Sequence, residues 1–203
     1  MNWQGRSYDL MLSPLLRGSR RFITRWILKS RLFPVLDICC GTGEQCGNIV
    51  GQGGFAVGLD LDLGLLKYAA SRRPQIPFVC ADAAHLPFRP RTFRGVGLSF
   101  ALHDKRPDTR KKMMAEARRV LTRKGRIIIL DFENPWSWLS RVGHMVVSGI
   151  ERLAGKEHFR NGRQFLVNGG LQAFLPEHGL RVLERRALES ASSSIAISAF
   201  LKR

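Results

Sequence analysis

Acidic residues are scarce: 16 Asp and Glu stand against 33 Lys and Arg in 203 residues, a formal net charge of +17. That balance points to an anionic partner or surface without saying which anion. Cysteine is sparse too. Four residues, Cys39, Cys40, Cys46 and Cys80, with no C-x-x-C pair among them, exclude a disulfide framework at this length and offer no zinc-type or thioredoxin-type spacing. No metal is expected, and a reducing cytoplasm is the expected setting. Long apolar runs are also missing. The most apolar later stretch, 136–150, contains Arg141 and His144 and falls short of the ~20 residues that a spanning helix needs. Ser19-Arg20-Arg21-Phe22-Ile23 has the outline of a twin-arginine export signal, but Arg25, Lys29 and Arg31 break the apolar region that should follow. With 44% hydrophobic and 24% charged residues, the chain can bury a sizeable core and is no disordered tail.

Short β-type runs alternate with helix-like segments, the signature of a parallel sheet covered by helices on both faces. Strands are expected at residues 34–39, 55–60, 76–80, 95–100 and 126–131, and helices at 44–50, 64–71 and 108–121. Pro77 puts the third strand at an edge, and Gly125 reads as the stop of the helix before the fifth. Beyond these, 136–153 and 171–178 read as helices, and 180–187 and 194–201 as a closely spaced strand pair. The expected organisation is one α/β domain, 1–203, with a seven-stranded sheet. It divides into a basic helical segment (1–32), a core (33–131), an insertion with a helix (132–178) and the final strand pair (179–203).

The informative segment is 35–44, a strand that ends in Gly41-Thr42-Gly43 and runs into a helix. Glycines there let the backbone approach a ligand and adopt dihedrals that a side chain forbids. A dinucleotide fingerprint needs a third glycine at position 46, which is Cys46. Asp37 lies inside the strand just ahead of the turn. Its carboxylate suits a cationic group on the ligand better than a pyrophosphate, which it would repel.

Asp37-Ile38-Cys39-Cys40-Gly41-Thr42-Gly43 resembles the first motif of the class I S-adenosylmethionine-dependent methyltransferases. Gly58-Leu59-Asp60, Cys80-Ala81-Asp82-Ala83 and the passage from Glu116 to Arg126 resemble that family's later motifs, in the same order and spacing. The resemblance implies a Rossmann-like doubly wound sheet, mostly parallel with an antiparallel last strand. It also implies S-adenosylmethionine as cofactor and S-adenosylhomocysteine as product. Residue by residue, it places Asp37, Cys39, Gly41 and Gly43 at the cofactor turn, Asp60 with Leu61 at the ribose, Asp82 and Ala83 at the adenine, and Ser99 at the end of strand four. Asp60 as a helix N-cap and Asp82 as a turn residue are the plain structural alternatives. Cys39 stands where the family often has its first glycine, which crowds the turn. Arg94 replaces an acid that often precedes strand four, and Lys124 the first glycine of a Gly-Gly pair.

Methyl transfer from a sulfonium depends mainly on holding the acceptor in line, and orientation alone can supply about 7 to 11 kcal/mol. A base helps when the acceptor is a phenol, a neutral amine or an activated ring carbon. His103 follows strand four, at the sheet edge that faces the methyl group in the resembling family, and is the candidate base; the alternative is a loop histidine capping the next helix. Glu133, His158 and Arg160 are weaker candidates. Ser99-Phe100-Ala101-Leu102 stands where nucleic-acid amino methyltransferases carry Asn/Asp-Pro-Pro-aromatic, and Asn134-Pro135-Trp136 follows the wrong strand. That lowers a nucleic-acid partner despite the charge.

The positive charge clusters at Arg17, Arg20, Arg21, Arg25, Lys29 and Arg31, and again over 105–126, where a solvated helix face is the bland reading. Leu15, Leu16, Phe22, Ile23, Trp26 and Ile27 interleave with the first cluster, as in an interfacial helix or simply a packed one. In the family, such an opening and the insertion after strand five commonly form a lid over the acceptor; Tyr8, Trp136 and His158 are the substrate-binding candidates. Tyr8-Asp9-Leu10-Met11 and Leu86-Pro87-Phe88 are similar to ubiquinone/menaquinone-biosynthesis methyltransferases and bacterial phospholipid N-methyltransferases, although Phe100-Ala101-Leu102-His103-Asp104 replaces the quinone enzymes' F-G-L-R-N. The expectation is a cytoplasmic methyltransferase acting on a small or lipid-like acceptor, a quinone precursor or phospholipid headgroup, and resting peripherally on an anionic inner membrane face. The rivals are a nucleic-acid methyltransferase or RNA/DNA-binding protein, and a catalytically silent cofactor-binding partner subunit.

Overall fold

The computed structural model describes residues 3–142, 145, 149, 152, 155–188 and 192–201, with side chains from residue 16 onward. Its elements run α1 (Trp3–Lys29), β1 (Val35–Ile38), α2 (Glu44–Val50), β2 (Ala56–Asp60), α3 (Leu63–Arg72), β3 (Phe78–Cys80) and β4 (Phe93–Ser99). Then follow α4 (Pro107–Val120), β5 (Leu121–Phe132), α5 (Lys156–Val167), α6 (Gly170–Glu177), β6 (Leu180–Leu188) and β7 (Ser193–Phe200). Residues 138–142 are also helical; the rest of the helix expected over 136–153 lies largely outside the described residues.

The strands form one sheet in the order β3-β2-β1-β4-β5-β7-β6. Pairings among β1 to β5 are parallel, and β7 alone runs against its neighbours β5 and β6. β3 is an edge strand that starts directly after Pro77, as the missing amide of proline requires. The chain order reverses between β1 and β4. Ligands of open α/β sheets bind outside the carboxyl ends of the strands at such a switch point.

Each face of the sheet has its own core. One is built on Leu36, Ile38, Leu98, Ile127 and Ile129 with Met113, Phe165 and Phe174 from the helices. The other gathers Val35, Ile128, Leu130, Ile195 and Ile197 under Ile23 and Ile27 of α1. This corrects the interfacial reading of α1: Leu16, Ile23 and Ile27 are buried in the fold. Trp26 Nε1 donates to Glu184 Oε2 at 2.7 Å, and Arg186 stacks 4.9 Å over Phe22. Leu15 lies outside the described side chains.

Two further expectations change. Helix α4 stops at Val120, because Leu121 turns extended (φ −78°, ψ 137°) to pair with Phe93; Gly125 is not the stop. Gly125 is needed for close approach instead, since a Cβ there would stand 2.6 Å from Leu121 Cγ. The basic run over 105–126 is also more than a solvated face. Arg118 Nη2 donates to Leu201 O at 2.8 Å, and Arg119 donates to Leu86 O (2.9 Å), Phe88 O (2.7 Å) and both carboxylate oxygens of Glu116. Glu116 Oε2 in turn accepts from Leu86 N at 2.8 Å. The Glu-x-x-Arg pair therefore clamps the loop that follows β3.

Hydrogen bonding from Arg119, ahead of the opposing effect of burial, holds the Glu116 carboxyl below the usual range. A depressed folded pKa contributes stability that is present above the unfolded value, about 4.3, and lost as the pH falls below it. Arg119→Ala is expected to lose about 1 to 2 kcal/mol in urea unfolding at pH 7, and to lessen the fall in stability on acidification. Equal stability of variant and wild type at pH 7 would show that the clamp is idle.

Candidate active site

At the end of β1 the backbone enters the left-handed region at Cys39 (φ 57°), Gly41 (φ 54°) and Gly43 (φ 75°). Gly43 is required sterically: a Cβ there would meet Phe78 Cζ at 2.7 Å. Cys39 adopts this conformation with a side chain, at a cost of about 1 to 2 kcal/mol. Burial pushes its thiol up to about 12, although Lys105 opposes the shift, so it is neutral at pH 7. Asp37 is buried in β1, and Cys46 Sγ donates to its Oδ2 at 3.6 Å. Burial, and then the Asp37 charge, push the Cys46 thiol well up.

Asp60 closes the turn from the next strand. Its Oδ2 accepts from Gly41 N at 2.9 Å and its Oδ1 from Asp62 N at 3.0 Å, which leaves acceptor capacity on both oxygens. The helix cap is Asp62, whose Oδ1 accepts from Gly64 N (2.7 Å) and Leu65 N (3.1 Å). Beside it Leu61 is 71% exposed. Asp82 is exposed past β3 and Ala83 is buried. Asp82 Oδ1 accepts from Ala84 N at 2.8 Å, so it does serve its own turn. That bond, then His85, hold its carboxyl below the usual range. Acid, apolar side chain and acid thus succeed one another along the carboxyl edge from β2 to β3, next to the glycine turn, and Ser99 ends β4 on the other side of β1.

The loop after β4 folds inward. His103 is 1% exposed and does not stand at the cap of α4, whose N-cap position is Arg106. His103 Nδ1 lies 2.9 Å from Asp131 Oδ1, and the fully buried Asp131 also accepts from Phe132 N (2.8 Å) and, through Oδ2, from Leu102 N (2.9 Å). The ring packs on Phe132 with centroids 4.5 Å apart, and His158 meets it edge-on at 5.3 Å. Buried Arg110 holds the loop from behind: Nε donates to Leu102 O at 2.7 Å, and Nη2 to His103 O (3.0 Å) and Asn161 O (3.2 Å). Burial pulls its guanidinium pKa down against the pull of Asp131 and Asp104. Asn161 Nδ2 donates to Asp104 O at 2.8 Å, while Lys105 Nζ (2.5 Å) and His158 Nδ1 (3.6 Å) face Asp104 Oδ2. Burial alone would lower the Lys105 pKa, but Asp104 and its neighbours outweigh it and the net shift is upward.

The structure therefore brings His103 and His158 together. Glu133 is corrected as a base, since Arg185 Nη2 (2.5 Å) and Ser194 Oγ (2.6 Å) both donate to its Oε1. Trp136 is 46% exposed, Arg160 is exposed, and Tyr8 lies in α1 with its side chain outside those described. Asp131, Arg110 and Asn161 were not foreseen. The signal for Asp131 was a lone acid ending the apolar run Ile127-Ile128-Ile129-Leu130 at the carboxyl edge. Nothing in the sequence marked Arg110 or Asn161.

A methyltransferase-domain family matches residues 35–125. The chain is 38% identical over 101 residues to demethylmenaquinone methyltransferase of Renibacterium salmoninarum, covering 50% of this chain and 42% of that protein. It is 35% identical over 118 residues to 2-phytyl-1,4-naphtoquinone methyltransferase of Thermosynechococcus vestitus, covering 54% and 51%. The chain shares with these proteins a methyltransferase domain over residues 35–125 and the fold of the class I enzymes. It spans about half the length of these curated relatives. The fold agrees with that of magnesium protoporphyrin IX methyltransferase from Synechocystis PCC 6803 with bound SAH, at TM-score 0.66 and 15% identity over 91% of this chain and 83% of that one.

The site fits the cofactor of those methyltransferases. The tight left-handed turn, the two oxygens of Asp60 with acceptor capacity left, and exposed Leu61 between Asp60 and Asp82 match a nucleoside with a hydroxylated sugar and a flat base. Asp131→Ala is expected to strand two buried amides and the His103 ring nitrogen and to lower stability by about 3 kcal/mol or more in urea unfolding. Asp131→Asn, which still offers an acceptor oxygen, should lose less. Equal losses would mean that the three hydrogen bonds are not what holds the loop.

Proposed function

We propose that the chain transfers a methyl group from S-adenosylmethionine to a small lipid-like acceptor, a hydroxylated quinone precursor in preference to a phospholipid headgroup. The observation that carries this reading is the hydrogen bond between His103 Nδ1 and Asp131 at the acceptor end of the sheet. A phenol or an activated ring carbon must release a proton on methylation, and a buried carboxylate on one imidazole nitrogen fixes the tautomer that leaves the other nitrogen basic. The relatives named for demethylmenaquinone and phytyl-naphthoquinone support the same acceptor class.

When bound, the cofactor supplies an electrophilic methyl group on positively charged sulfur. Asp60 would hold the ribose hydroxyls with its remaining lone pairs, and Leu61, Asp82 and Ala83 would hold the adenine. Asp37 provides negative charge behind the glycine turn. His103 takes the acceptor's proton at Nε2, and Asp131 stabilises the resulting imidazolium. His103 is 1% exposed, and α5 lies against the loop that carries it. The hold of α5 on the β4–α4 loop includes the polar contacts of Asn161 and His158 with Asp104 and of Asn161 with Arg110.

Incubation with methyl-labelled S-adenosylmethionine and a whole-cell extract, followed by partitioning, should leave the label in the organic phase. Label in the nucleic-acid fraction instead would overturn the acceptor class. His103→Gln should lower kcat by about 10² or more with cofactor affinity unchanged, and full turnover in that variant would remove the base role. Asp60→Ala should weaken cofactor binding by about 1 to 3 kcal/mol; unaltered affinity in calorimetry would cancel the ribose assignment.

A further inference from the structure

Five large apolar side chains are exposed within ten residues of chain: Trp136 (46%), Trp138 (76%), Leu139 (39%), Val142 (42%) and Met145 (65%). Single exposed apolar residues are ordinary, whereas a concentrated group rimmed by polar residues marks an interaction surface. The topology fixes where this group lies. Asp131 and Phe132 end β5, and His158 and Asn161 belong to α5; both pairs contact the loop that carries His103, so the connection between them is tethered at each end to the carboxyl edge.

Positive charge gathers at that edge. Over 136–163 there are five basic residues, Arg141, Arg152, Lys156, Arg160 and Arg163, against two acids, and all five are exposed. Helix α1 adds to them. Gln45 Nε2, in the first turn of α2 just past the glycine turn, donates to Thr24 Oγ1 at 3.0 Å, and α1 descends from there towards the start of β1. Arg21 and Arg17 stand one and two turns above Thr24, on the carboxyl-edge side, and both are exposed. The apolar residues of α1 are not available as an anchor, because Leu16, Ile23 and Ile27 are buried on the sheet.

We propose that the exposed group from Trp136 to Met145 is a docking surface for an anionic phospholipid bilayer, with the surrounding arginines and lysines on the headgroups. Tryptophan beside cations is the pattern of an interfacial segment. The aliphatic side chains decide against RNA: bases stack on Trp136 and Trp138, but Leu139, Val142 and Met145 offer them no π-face. A bilayer seated here faces the same edge as His103. The inference rests on exposure and charge alone and holds whether or not the chain transfers methyl groups.

The full chain is sedimented with phosphatidylcholine vesicles with and without phosphatidylglycerol, at physiological salt and at ~1 M salt, where the Debye length is about 3 Å. Wild type should bind the phosphatidylglycerol vesicles, keep part of that binding at high salt, and show tryptophan quenching by brominated lipid. Trp136→Ser combined with Trp138→Ser should keep its circular dichroism, lose about tenfold or more in partitioning and lose the quenching. Met145→Ser should move partitioning in the same direction. Wild-type failure to bind would overturn the proposal. So would unchanged partitioning of the double variant, which would leave charge alone responsible. Quenching by RNA in place of lipid, or self-association that hides the tryptophans without lipid, would assign the surface to another partner.

Discussion

A fully buried carboxylate needs hydrogen-bond donors, and Asp131 has three: the amides of Leu102 and Phe132 and the ring nitrogen of His103. Those bonds fold the loop after β4 back onto the end of β5, and the surroundings of His103 follow. With the loop drawn inward, the carbonyls of Leu102 and His103 face Arg110, and Arg110 in turn reaches Asn161 of α5. A buried guanidinium without a direct carboxylate contact is costly unless its donors are used. Here three carbonyls and the Phe165 ring, 4.7 Å away, take that role. The histidine pair is thus positioned by a polar network that ties α4, α5 and β5 to one loop.

The glycine turn after β1 obeys a different constraint, close approach of backbones. Gly43 leaves room for Phe78, and Gly58 also faces that ring, with a Cβ there only 2.5 Å from Phe78 Cδ1. Gly97 leaves room for Asp37. Asp60 fastens the turn that results. Cys39 departs from this economy of glycine, and its strained backbone persists because the strands on either side and the Asp60 bond determine the turn more strongly than one residue's preference does.

Much of this was legible in the sequence, for reasons that can be named. The order of the first five strands follows from short apolar runs separated by glycine and acid, and Pro77 announced the edge. Asp60 and Asp82 were picked out by the resemblance of Gly58-Leu59-Asp60 and Cys80-Ala81-Asp82-Ala83 to the family's motifs. What escaped was tertiary. Arg110 lies in a run of charges that reads as solvated surface, yet its face of α4 turns inward. The apolar residues of α1 are equally compatible with a membrane and with a sheet, and only the packing under β7 and β5 decides. The stop of α4 at Val120 depends on pairing between Leu121 and Phe93, which no local propensity contains.

The central claim is that the glycine turn and Asp60 hold an adenosyl group joined through sulfur to an amino acid, not a dinucleotide. Titration calorimetry with S-adenosylhomocysteine and, separately, with NAD tests it most directly. One molecule of S-adenosylhomocysteine per chain with no detectable heat from NAD is the predicted result. Binding of NAD at the same site with equal or higher affinity would contradict the account.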